Sequence, residues 1–171
     1  MILYDAKLIV NDNVEVAINA EADGIHLGKN DLSIIEARQL FGESKIIGGT
    51  ANTTDDIVTL INAGVDYIGL GPFKYTSTKK NLSPILGLDG YYSISQELFS
   101  FLKDGKLNNS IPPIVAIGGI DLPDIIEIMK TGVDGIAVSG LLTNDFSLVE
   151  VINEAIVTKE GLNLNVLDLK E

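Results

Sequence analysis

The sequence has no cysteine, a single histidine (His26) and few aromatic residues, 6% in all. The missing thiols exclude disulfides, thiolate catalysis and cysteine-type zinc sites, and fit a reducing compartment. Basic residues are also scarce. Lys and Arg number 12 against 24 Asp and Glu, a net charge of −12, and no basic run occurs anywhere. Nucleic acid and anionic membrane surfaces need clustered cations, so neither is an expected partner. No apolar run approaches the roughly 20 residues of a membrane span. Met1-Ile2-Leu3-Tyr4-Asp5 lacks the basic and apolar parts of a signal peptide. The expectation is a cytoplasmic globular protein. With 171 residues it forms one domain over 1–171, with 159–171 a tail.

What is present is aliphatic and periodic. Short apolar runs recur at Lys7–Val10, Gly24–Leu27, Lys45–Gly48, Tyr67–Leu70, Ile114–Ile117 and Gly135–Val138. Most are apolar on consecutive residues, which predicts strands buried on both faces. Between them lie helical faces: Val14, Ala17 and Ile18; Ile34, Ala37, Leu40 and Phe41; Ile57, Leu60 and Ile61; Ile125, Ile128 and Met129; Val149, Ile152 and Ile156. Tyr91 and Tyr92 start or pack a further helix. Asp31, Thr53 or Thr54, and Asp121 stand where helix caps are needed.

Three helix-to-strand junctions share one frame. Their aligned aspartates are Asp23, Asp66 and Asp134, spaced by 43 and 68 residues, close to two and three repeats of a strand-helix unit of about 22. Alternating strand and helix predicts βαβ units and a parallel α/β sheet. Six units fall short of the eight in a (β/α)8 barrel. The chain is therefore either a six-stranded open sheet or an incomplete TIM-type barrel of about six βα units.

Ligands of parallel α/β folds bind at the C-terminal ends of the strands. The residues expected there are Asn11-Asp12-Asn13, Gly28-Lys29-Asn30-Asp31, Gly48 to Asn52, Gly71 to Lys80, Gly118-Gly119 and Ser139-Gly140. Asp12 and Asp31 on neighbouring strand ends are hard oxygen donors suited to Mg²⁺, or else two helix caps. Thr76, Thr78 and Lys79 form a hydroxyl-rich cationic loop, either an anion cradle or a solvated surface loop. Gly118-Gly119 and Ser139-Gly140 let backbone N–H groups approach a phosphate, or simply make tight turns. His26, inside an apolar strand, reads as a packed residue rather than a catalytic one.

The motifs Leu8-Ile9-Val10-Asn11-Asp12, Ala22 to Asp31, Ile46-Ile47-Gly48-Gly49-Thr50, Gly69-Leu70-Gly71-Pro72, Thr76 to Lys80 and Val115 to Ile120 together resemble the thiamine-phosphate synthase family. The resemblance runs over about residues 7–142 and implies a (β/α)8 barrel. It implies a transferase that joins 4-amino-2-methyl-5-diphosphomethylpyrimidine to thiazole phosphate and releases pyrophosphate. Asp12 and Asp31 would then hold Mg²⁺ on the diphosphate. Asn11, Thr50 and Lys79 would contact the diphosphate or the reacting pyrimidine, with Lys79 neutralising the leaving group. Thr76, Thr78, Gly119 and the Ser139-Gly140 turn would hold the thiazole phosphate. The family's first two βα units, with their Gln-Leu-Arg-x-Lys strand end, have no counterpart here. Alternatives are a truncated, non-catalytic phosphate-binding or assembly module, or another phosphate-binding barrel such as a thiazole tautomerase relative. That relative carries a catalytic His where this chain has Asn52. Unpaired sheet edges lead one to expect association with copies of itself.

Overall fold

The computed structural model describes residues 6–76, 83–107, 110–154 and 156. Strands and helices alternate: β1 (Ile9–Asn11), α1 (Val14–Asn19), β2 (Gly24–Leu27), α2 (Ile34–Phe41), β3 (Ile46–Ala51), α3 (Thr54–Ala63), β4 (Tyr67–Leu70), α4 (Gly87–Lys103), β5 (Ile114–Ile117), a 3-10 turn (Leu122–Asp124), α5 (Ile125–Lys130), β6 (Gly135–Ala137) and α6 (Gly140–Asn144). A second helical stretch follows over 148–154. All strand pairs are parallel and their order is sequential, and the sheet curls into an open half-barrel whose edges among the described residues are β1 and β6.

Register sorts the strand residues onto two faces. Asn11 pairs with His26, His26 with Gly48, Gly48 with Tyr67, and Thr50 with Gly69. These line the inner face. The alternate residues Ile25, Ile47, Ile68 and Ala116 face the helices and are fully buried. A Cβ added to Gly49 would lie 2.5 Å from Leu60 of α3, which shows how closely that helix seats. The inner residues His26, Thr50, Tyr67, Val115 and Ile117 are only half-buried. Consecutive apolar residues thus do not mean two fully buried faces here. An open half-barrel covers one face with helices and leaves the other partly exposed.

The repeated aspartates explain how the strands are started. Asp23, Asp66 and Asp134 each accept a backbone N–H from the beginning of the preceding strand: Leu8 at 2.9 Å, Ile47 at 2.7 Å and Ile114 at 2.8 Å. Each also donates its own N–H to the carbonyl of the same residue, at 2.9, 2.8 and 2.8 Å. The repeat therefore works at the N-terminal end of the sheet, away from the expected site.

Candidate functional site

The expected rim residues lie at the C-terminal strand ends. Asn11 ends β1, and Asp12 follows with φ 68°, a left-handed conformation that Asp tolerates better than most residues. Its N–H donates to the His26 carbonyl at 2.9 Å, extending the β1–β2 ladder by one residue. The cap of α1 is Asn13, whose side chain accepts from Val16 N–H at 3.0 Å. Asp31 does not cap α2 either, contrary to the sequence expectation. Ser33 does, in a reciprocal pair with Glu36. A serine at the helix start with Glu three residues on outcompetes an aspartate two residues earlier. Asp31 instead accepts the Gly28 N–H at 2.7 Å and closes its own loop.

Both carboxylates are exposed at the ends of adjacent strands. Their donor set fits Mg²⁺, which keeps waters and phosphate oxygens as ligands and needs only one or two protein carboxylates. Among the described residues no three His, Asp or Glu side chains gather into a larger cage.

The Asp31 loop is tied to α3. Lys29 reaches Asp56 at 2.5 Å, and the same carboxylate accepts N–H groups from Asn52 and Thr53 at 2.9 Å each. Burial raises the Asp56 pKa, but Lys29 and these donors outweigh it and hold the group below the ordinary carboxylate range.

Thr50 is on β3 itself, not in a loop beyond it. In sequence, Gly48 and Gly49 stand at the expected end of the third strand. In the fold they are glycines because both faces of the strand are occupied: Tyr67 and His26 crowd Gly48, and Leu60 crowds Gly49. Thr50 Oγ1 lies 2.9 Å from His26 Nε2, and His26 Nδ1 lies 3.0 Å from the Tyr67 hydroxyl. The imidazole and phenol rings stack with centroids 5.4 Å apart. Burial pushes the Tyr67 phenol up to about 12. Tyr67 was not singled out from the sequence. Its signal is alternation: a polar-tipped ring beside glycines in matching strand positions.

The other half of the rim is built from the β4 and β5 loops. Gly118 and Gly119 have φ of 88° and 69°. A Cβ on Gly119 would lie 2.6 Å from the Tyr75 carbonyl, so glycine is required by backbone contact between the two loops. Phe73 N–H donates to Ile117 O at 2.9 Å and Lys74 N–H to Gly118 O at 3.0 Å. The Lys74 ammonium meets both Asp124 oxygens, at 2.7 and 2.8 Å. Asn52 is buried and donates to the carbonyls of Gly71 and Pro84, at 2.9 and 2.8 Å. These contacts hold both ends of the loop that carries half-buried Thr76. Thr78 and Lys79 lie outside the described residues. Ser139 and Gly140 begin α6, exposed at the β6 end.

The rim therefore joins Asn11, Asp12, His26 and Thr50 in one group, and joins Gly119 to the Thr76 loop in another. The sequence and fold were compared with those of known proteins. A thiamine monophosphate synthase family model matches residues 2–142. A thiamine-phosphate synthase of Flavobacterium psychrophilum is 51% identical over 154 residues, 88% of this chain and 71% of that protein. One from Bacteroides thetaiotaomicron is 53% identical over 138 residues, 81% of this chain and 63% of that protein. A solved thiamine phosphate pyrophosphorylase from Pyrococcus furiosus superposes with a TM-score of 0.68 at 30% identity, over 90% of this chain and 70% of that one. N-(5'-phosphoribosyl)anthranilate isomerase from the same organism, at 14% identity and TM-score 0.60, shares the fold alone. The chain belongs to the thiamine monophosphate synthase family.

Proposed function

We propose that this chain is a transferase that joins the diphosphomethyl pyrimidine to thiazole phosphate, giving thiamine phosphate and pyrophosphate. The observation that carries the reading is the placement of Asp12 and Asp31 at the ends of adjacent strands, with neither used as a helix cap. Asp12 also keeps a left-handed backbone at a position where a glycine would be less strained.

The bond that breaks joins the pyrimidine methylene carbon to a diphosphate oxygen, and its electron pair leaves with pyrophosphate. The bond that forms uses the lone pair of the thiazole nitrogen on that carbon. No protein nucleophile is required, which suits a chain without cysteine. Mg²⁺, held by Asp12 and Asp31, would neutralise charge on the leaving diphosphate. Asn11 and Thr50 present an amide and a hydroxyl to the diphosphate or the reacting pyrimidine, and Lys79 adds a cation to the leaving group. Thr76, Thr78, Gly119 and the Ser139-Gly140 turn are assigned to the thiazole phosphate. In a protein of net charge −12, such local donors must offset the general repulsion of anions.

A tautomerase activity is disfavoured by Asn52. Its side chain is buried and committed to two backbone carbonyls, and an amide cannot serve as a general base. A binding module without turnover is the competing reading, favoured by the half-exposed inner face. The test is pyrophosphate release by the purified chain given both substrates and Mg²⁺. Turnover that requires the metal supports the transferase. A folded chain that binds pyrophosphate but releases none from the substrates supports the module.

A further inference from the structure

His26 sits where three strands meet on the inner face, with Tyr67 on one ring nitrogen and Thr50 on the other. Space is reserved for it. A Cβ on Gly48 would come within 2.2 Å of the Tyr67 ring and 2.7 Å of His26 Nδ1, and one on Gly69 within 2.8 Å of His26 Cε1. For the neutral imidazole, two proton arrangements satisfy the distances. In the first, Tyr67 donates to Nδ1 and Nε2–H donates to Thr50. In the second, Nδ1–H donates to the Tyr67 oxygen and Thr50 donates to Nε2.

The two differ in which hydroxyl proton is left over. In the second it belongs to Tyr67, at the start of β4, whose hydroxyl has no other hydrogen bond among the described residues. Tyr67 is half-buried, and a donor withdrawn from water without an acceptor costs up to about 1–3 kcal/mol. In the first it belongs to Thr50. Thr50 is in register with Gly69, two residues closer to the C-terminal rim, where water or a bound anion can accept. The high phenol pKa keeps Tyr67 protonated and able to donate.

We infer that His26 is a positioning residue, fixed by Tyr67 in its Nε2–H form, which donates to Thr50 and thereby turns the Thr50 hydroxyl proton outward as a donor to an anionic oxygen of the substrate. The identity of that anion, the diphosphate, rests on the transferase reading. The tautomer does not. No proton changes hands; the histidine acts by fixing a direction.

Because His26 is the only histidine, a sample labelled with ¹⁵N at histidine yields the signals of one imidazole. The expected result near neutral pH is a protonated Nε2 and an unprotonated Nδ1. Tyr67→Phe should mix the tautomers. An Nδ1–H form, an imidazolium, or a tautomer indifferent to Tyr67→Phe overturns the inference. Inorganic pyrophosphate with Mg²⁺ should shift the Nε2 signal, and binding is followed separately by calorimetry. If pyrophosphate does not bind, the transferase reading fails and the tautomer alone decides. In turnover, His26→Leu should lower kcat roughly ten- to a hundred-fold with less change in KM, the range for partners that orient a ligating group. His26→Gln, whose amide can donate, should restore part. The His26→Leu/Thr50→Val double variant should be no worse than Thr50→Val alone. Additive losses overturn the inference.

Discussion

Asp66 and Ile47 are bonded to each other twice: the carboxylate accepts the Ile47 N–H at 2.7 Å, and the Asp66 N–H donates to the Ile47 carbonyl at 2.8 Å. Arg38 adds a third tie, donating to the same carboxylate at 2.7 Å and to the carbonyls of Lys45 at 2.5 Å and Gly64 at 3.2 Å. Carboxylates at this N-terminal end of the sheet fix strand starts, while Asp12 and Asp31 lie at the opposite end. Asp66→Ala should therefore lower unfolding stability by roughly 1–3 kcal/mol, as expected for a lost charged acceptor. Activity per folded molecule should not change. Denaturant unfolding and specific activity, measured on one preparation, check this. A stable but inactive variant would contradict the division between the two ends.

Asp12→Gly should show the reverse. Glycine accepts the left-handed conformation at position 12, so stability should hold or rise by up to about 1 kcal/mol. Turnover should fall at least roughly tenfold through loss of the carboxylate. If turnover survives, Asp12 has no part in the chemistry.

Gly48→Ala should cost about 1–3 kcal/mol by overpacking against the Tyr67 ring. Adding Tyr67→Ala in the same chain should recover part of that loss. Chemical denaturation of the single and double variants reads the coupling. Two losses that simply add would mean that Gly48 is there for some other reason.

Asp56 has a depressed carboxyl pKa, so the folded state holds its proton more weakly than the unfolded chain does. Its contribution to stability is then full above the unfolded carboxylate pKa and is lost as pH falls through the folded value. The stability gap between the parent and Asp56→Asn should narrow as pH drops from neutral into the acid range. A gap independent of pH would show that the Lys29 pair contributes nothing through charge.

β1 and β6 are unpaired edges among the described residues, and Val16 and Ile18 of α1 are 51% and 45% exposed. Association with further copies of the chain is expected, with an average mass by light scattering that rises with concentration. A monomer at every concentration would contradict it.

Much of the fold is legible in the sequence because local periodicity reports it. The six apolar runs are the six strands, and the Asp23, Asp66 and Asp134 frame marks real strand junctions. What is not legible depends on register between strands. Gly48 and Gly49 read as the end of the third strand, whereas they lie within β3, because the residues that exclude a side chain there, Tyr67 and Leu60, are distant in sequence. The same cause hides the joining of His26 to Thr50 and of Asn52 to Pro84. The Asp12 and Asp31 positions were readable from motif order. That neither is a cap is not legible there, because Asn13 and Ser33 fill those places through local side-chain to backbone hydrogen bonds.

In the transferase reading, the rim carrying Asn11, Asp12 and Thr50 makes thiamine phosphate. Mass-spectrometric detection of that product, from the parent chain and Asp12→Gly side by side with both substrates and Mg²⁺, tests it most directly. The expected result is product from the parent and far less from a variant that is equally folded. A folded parent that makes none, or a variant that makes as much, contradicts the account.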